Sequence, residues 1–183
     1  NHLVDKFVIV EAELTQSLLP KPCHYELNKA RFEKFHDKIV HVKILASECP
    51  DNSMNLWEME NFTRNCISRG LQQIRELEDE DVILIGDLDE IPDPDKLERV
   101  VFLPSGNNRQ QPANNVSPYS AGLGLRGIRL DHPVAFVGSF HAYFLNFHCA
   151  EKEWVGSCAL PYYLLKDGLT PQQCFVLGVV WAM

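Results

Sequence analysis

Two aspartates one residue apart, Asp87 and Asp89, followed at once by Glu90, close the apolar run Val82-Ile83-Leu84-Ile85 and its Gly86. Carboxylates are hard oxygen ligands. A pair of them suits Mg²⁺ or Mn²⁺, which keep open positions for the phosphate oxygens of a substrate. If the backbone stays extended through the triplet, its period-two geometry puts both Asp side chains on one side, roughly 6–7 Å apart, with Leu88 on the other. The pattern points to a phosphorylated or diphosphate-linked ligand held through a divalent cation. The competing reading is an acidic turn, since Asp, Gly86 and Pro92 are turn formers. Position supports the cation: four uninterrupted apolar residues read as a parallel strand buried on both faces, and ligands of open α/β sheets collect beyond the carboxyl ends of such strands.

The elements that must carry this acid cluster are legible upstream. Phe7-Val8-Ile9-Val10 is an earlier strand that also ends in acid, at Glu11 and Glu13, ahead of a proline-containing loop over 15–22. Asn28 is placed to cap a short helix through Phe35, and residues 39–45 alternate as a second strand. Asn55 and Glu58 match a capping box, opening a helix over 55–77 in which Leu56, Met59, Phe62, Cys66, Ile67, Leu71, Ile74 and Leu77 recur at helical spacing. Its other side carries Glu58, Asn61, Arg64, Asn65, Arg69 and Arg75, a solvated face by composition, although an Arg there can pair bidentately with a diphosphate. Strand, helix, strand, helix, strand predicts a parallel sheet with right-handed crossovers. The first half is thus Rossmann-like without a Gly-x-Gly-x-x-Gly turn, so a nucleotide must be held by carboxylates through a metal. A short helix to about Val101, a flexible polar loop over 105–127, and strands over 134–137 and 141–147 complete the chain.

With 183 residues, 45% hydrophobic and 23% charged, the composition is that of one globular domain. A net charge of -8 and a pI near 5.3 exclude the basic footprint of a nucleic-acid surface. No apolar run is long enough to span a bilayer, and no signal peptide opens the sequence. The strand begins within a few residues of Asn1, which predicts further sequence upstream. Six cysteines without a Cys-x-x-Cys pair argue against structural zinc and leave free thiols or unassignable disulfides. Asn61-Phe62-Thr63 and Asn115-Val116-Ser117 match the glycosylation acceptor pattern.

The stretches Val4-Asp5-Lys6-Phe7-Val8-Ile9-Val10-Glu11-Ala12, Glu60-Asn61-Phe62-Thr63-Arg64-Asn65-Cys66 and Asp87-Leu88-Asp89-Glu90-Ile91-Pro92 together resemble glycosyltransferase family 17. That family includes enzymes that add a bisecting N-acetylglucosamine to N-glycans. The resemblance runs from about Leu3 to Leu97 and returns at 143–146 and 152–157, while 105–127 has no counterpart. It implies an α/β, GT-A-like Rossmann-type nucleotide-diphospho-sugar transferase domain with a mainly parallel sheet, incomplete at its termini. Residues 1–103 would form its donor-binding half, 104–130 a polar loop and 131–183 a partial acceptor side. UDP-N-acetylglucosamine is the implied donor, a mannose-containing glycan or glycoprotein the acceptor, and Mn²⁺ or Mg²⁺ the cofactor. Carried onto matching positions, Asp87 and Asp89 become the metal ligands and Glu90 a catalytic carboxylate beside them. Glu11 lines the donor cleft, Arg64 and Asn65 contact the donor, and Lys152 and Trp154 border the acceptor. Full-length eukaryotic members imply a Golgi membrane anchor with a lumenal catalytic domain; these residues hold no anchor, and the chain alone reads as soluble. Two rival readings stand beside this one. A haloacid-dehalogenase-like phosphatase also puts Asp-x-Asp after an apolar strand, but on the first strand and with Thr or Val where Ile91 stands. A degenerate transferase would bind a sugar nucleotide or glycan without catalysis.

Overall fold

The computed structural model describes residues 3–50, 56–94, 101–102, 126–128, 132–141, 148–177 and 179–181, and every contact given below is among them. The chain divides into two compact units, Asn1–Leu77 with Thr170–Gln173, and Glu78–Leu169 with Cys174–Met183.

In the first unit, strands β1 (Phe7–Ala12) and β2 (Ile39–Ile44) run parallel, with Phe7 opposite Ile39 and Ala12 opposite Ile44. Parallel neighbours need a crossover. Helix α1 (His24–Leu27) and 3-10 turns over Lys29–Lys38 lie along it. The helix expected from Asn28 onward forms as 3-10 turns, with Asn28 at the N-cap position but its side chain making no cap bond there. Asn28 also ends α1, its side-chain amide donating to the His24 carbonyl at 2.7 Å. Asn side chains satisfy orphan backbone groups at either end of a helix, so the residue type marks a boundary without saying which one.

Helices α2 (Leu56–Asn65) and α3 (Ile67–Leu71) replace the single long helix expected over 55–77. After Cys66 and again beyond Leu71 the backbone tightens, and the N–H groups of Arg69, Gln73 and Ile74 donate to carbonyls three residues back. The apolar positions 71, 74 and 77 are three apart, a spacing that 3-10 turns satisfy as well as an α-helix does. The apolar stripe itself is correctly placed: Met59 and Cys66 are buried with Ala12 and Ile44, and Val10, Leu14 and Phe62 pack against them. Gly70 allows α3 to approach the strands closely. A Cβ there would overlap Val8 Cγ1 and lie 3.1 Å from Val42 Cγ2.

In the second unit, β3 (Val82–Ile85) is followed by the parallel pair β4 (Val101–Phe102) and β5 (Arg126–Ile128). Strands β6 (Val134–His141) and β7 (His148–Pro161) are antiparallel, and β8 (Val179–Trp181) joins β6 in parallel, giving the order β3-β7-β6-β8. Here β3 departs from expectation. It pairs antiparallel with β7, Ile83 opposite Leu160 and Ile85 opposite Cys158, and is not the third strand of a mainly parallel sheet. Its two faces also differ, for Ile83 and Ile85 are buried whereas Leu84 is 37% exposed. Four apolar letters in a row concealed a one-sided strand, which an antiparallel partner serves as well as a parallel one. Val101, expected to end a helix, opens β4. Asn55, residues 95–100 of that helix, residues 105–125 of the polar loop with Asn115, and residues 142–147 of the aromatic strand lie outside the described residues, while Arg126 and Gly127, expected to end that loop, open β5. None of the six cysteines is in a disulfide. Among the described residues no helix is long and apolar enough to cross a membrane.

Candidate functional site

Beyond Ile85 the backbone reverses. The Glu90 N–H donates to the Asp87 carbonyl at 3.0 Å, the closing bond of a β-turn with Leu88 and Asp89 at its corners. The extended triplet assumed for side-by-side carboxylates therefore does not form, and Asp87 takes the opening position of a turn, which Asp favours. Asp87 and Asp89 are both exposed, and Leu88 completely so. Glu90 folds back over the turn. Its carboxylate accepts the Asp87 N–H at 3.0 Å, the Ser157 hydroxyl at 3.1 Å and the Trp154 indole N–H at 2.7 Å. Ser157 is 6% exposed; Trp154 is 42% exposed and packs on Phe140 with ring centroids 5.8 Å apart. Both partners belong to β7, as does Lys152. Sequence reasoning missed the role of Ser157 entirely, and no local signal marks it, because it reaches Glu90 across 67 residues through a strand pairing that periodicity does not foresee.

Among the described residues no three His, Cys, Asp or Glu side chains converge as a metal-holding group. The acid turn instead offers two exposed carboxylates on a backbone that Glu90 fixes. Such a donor set fits a hard divalent cation that completes its shell with phosphate oxygens and water, and does not fit an all-protein cage.

The remaining expected site residues lie in the first unit, and each has partners within it. Glu11 Oε1 accepts the Tyr25 N–H at 2.6 Å, while Oε2 accepts the Glu26 N–H at 3.1 Å and bonds His41 Nε2 at 3.0 Å. The carboxylate thereby closes the N-terminus of α1 from the end of β1, satisfying two donors that a short helix leaves orphaned. Burial pushes its carboxyl up, but the two backbone donors and His41 outweigh burial and hold it below the usual carboxylate range. Arg64, expected on a solvated face, is 7% exposed. One guanidinium nitrogen meets Glu60 Oε1 at 2.9 Å and another donates to the Gln172 side-chain carbonyl. Asn65 Oδ1 accepts the Gln172 N–H at 3.0 Å. Arg64 and Asn65 together dock the start of the helix Pro171–Leu177 onto α2, an arrangement that no spacing in the chain announces. An open groove in this unit runs between Glu13, Pro20, Cys23, Glu26 and Lys43, and its lining includes none of the expected site residues.

The sequence profile of glycosyltransferase family 17 matches residues 1–102, more than half of the chain. The chain belongs to glycosyltransferase family 17. Glycosyl transfer is the general chemistry of that family. The β-1,4-mannosyl-glycoprotein 4-β-N-acetylglucosaminyltransferases of Homo sapiens and Rattus norvegicus are each 30% identical to this family 17 chain over 93 residues. That stretch is 49% of this chain and 17% of each relative, so the chain matches about a sixth of those enzymes' length. No solved structure matches it. The family match contains Glu11, Arg64, Asn65, Asp87, Asp89 and Glu90, and ends before Trp154, Ser157 and Gln172.

Proposed function

We propose that this family 17 chain carries the donor-binding part of a GT-A-like, metal-dependent transferase that moves N-acetylglucosamine from UDP-N-acetylglucosamine to a mannose-containing N-glycan. Family membership supports sugar transfer, and the names of the two relatives support the sugar and the acceptor class. The observation that carries the reading is the exposed Asp87 and Asp89 on a turn pinned to a sheet, inside the family-matched stretch. The diphosphate of a sugar nucleotide is doubly anionic and gains a further negative charge as it leaves, and acidic side chains alone would repel it. Asp87 and Asp89 are useful there only as holders of Mn²⁺ or Mg²⁺, which when bound neutralises the charge on the departing diphosphate. The N-glycan acceptor makes the Golgi lumen the fitting compartment.

The deciding experiment titrates UDP-N-acetylglucosamine into the chain by calorimetry with and without Mn²⁺, then follows UDP release with a mannose-containing glycan acceptor. Binding that requires Mn²⁺ is expected, together with its loss in Asp87→Asn and Asp89→Asn. Those variants should lose transfer by at least about 100-fold while unfolding at the wild-type midpoint, because both side chains are exposed. Donor binding indifferent to Mn²⁺ and to both substitutions would overturn the assignment, and binding without UDP release would mark a non-catalytic sugar-nucleotide binder.

A further inference from the structure

We propose that Glu90 is a positioning residue: with Trp154 and Ser157 of β7 it forms a latch that sets the Asp87–Asp89 turn, and it is not the base that takes the acceptor proton. The inference rests on the cation-binding reading of that turn. Three donors from two segments of chain converge on this one carboxylate, and the Glu90 N–H bonded to the Asp87 carbonyl ties the same four residues a second time. The turn backbone is thereby fixed at both ends, while Asp87 and Asp89 are exposed.

Two glycines make room for this arrangement. A Cβ on Gly156 would overlap Glu90 Oε1, and one on Gly86 would overlap the Ser157 hydroxyl. A general base needs an open lone pair directed at the incoming hydroxyl. Oε2 already accepts two donors, and Oε1 is met by the indole N–H on one side and closed in by Gly156. Groups of this kind behind metal ligands usually govern affinity by fixing ligand orientation.

The test compares Ser157→Ala, Trp154→Phe, Gly156→Ala and Glu90→Gln in the 183-residue chain, with thermal unfolding as the folding control. Ser157→Ala is the most informative, since that hydroxyl is buried. Two readouts are made: hydrogen exchange of the Asp87 amide, and Mn²⁺ binding followed by the electron paramagnetic resonance of the free ion. Each variant should speed Asp87 exchange several-fold and weaken Mn²⁺ binding by about 10-fold, with turnover of Ser157→Ala restored by excess Mn²⁺. The Ser157→Ala/Glu90→Gln double variant should be no weaker than Glu90→Gln, because both act through one carboxylate. Asp87 exchange unchanged in Ser157→Ala and Trp154→Phe would overturn the latch. So would a Glu90→Gln variant that binds Mn²⁺ normally yet loses turnover together with the acid limb of its pH profile, the behaviour of a base. Should the wild-type chain take up no Mn²⁺, the metal reading of the site fails, and the exchange measurement still decides whether the latch exists.

Discussion

At the scale of single residues, four carboxylates that look alike in the sequence do different work. Asp87 and Asp89 face solvent, Glu90 grips β7, and Glu11 caps α1. Glu11 has a consequence for acid stability. Its folded-state carboxyl is held below the unfolded value of about 4.3, so the stabilisation it provides is complete above that pH and is lost as pH falls through the folded value. Glu11→Gln is therefore expected to be less stable than wild type at pH 7, with the difference closing as acid protonates the wild-type side chain. Urea unfolding at a series of pH values measures this, and a difference that widened in acid would contradict it. The acidic cluster was legible as chemistry from residue type and spacing. Its division of labour was not, because the donors that select Glu90 and Glu11 come from distant segments.

At the scale of elements, the helical stripe from Met59 to Leu71 and the strands expected over 7–10 and 39–45 follow from apolar periodicity, and they are present, the strands as Phe7–Ala12 and Ile39–Ile44. Gly70 marks where that packing is tightest. Gly70→Ala must push Val8 aside, and overpacking of this kind is expected to destabilise the chain by about 1–3 kcal/mol, measurable as a shift in denaturation midpoint at constant slope. Arg64 is the opposite case, a charged residue whose periodic position says surface and whose neighbours say interior. Arg64→Met takes the cation from the Glu60 carboxylate, leaving it the Gln16 amide, and removes a donor from the Gln172 side-chain carbonyl, so a loss of about 1–3 kcal/mol is expected by chemical denaturation. A Glu60→Gln/Arg64→Met double variant should recover part of that loss, since it removes the orphaned charge. The break after Cys66 was hidden, because positions three apart are common to α and 3-10 turns.

At the scale of the whole molecule, the two units differ in what they owe to the family. The match covers residues 1–102 and so includes β1, β2, α2, α3, β3 and the acid turn, whereas β7, which pins that turn, lies beyond it. The thiols report on both units at once. Burial pushes Cys174 up to about 11 and raises Cys66 and Cys23, and Cys158 is fully buried. Near neutral pH a thiol reagent should therefore label no more than the two half-buried cysteines, Cys49 and Cys149, within minutes, and all six in denaturant. Rapid labelling of three or more in native buffer would contradict this packing.

The sequence by itself determined the positions of β1, β2 and β3, the apolar stripe shared by α2 and α3, and the presence of a carboxylate cluster at the end of β3, since these depend on residues near one another along the chain. Only the tertiary structure decided that β3 runs antiparallel to β7, that Arg64 is buried, and that Glu90 faces an indole and a hydroxyl while its neighbours face water. Strand partners and long-range hydrogen bonds are chosen by which buried groups can be satisfied together, and that choice is made across the molecule, where no local pattern records it.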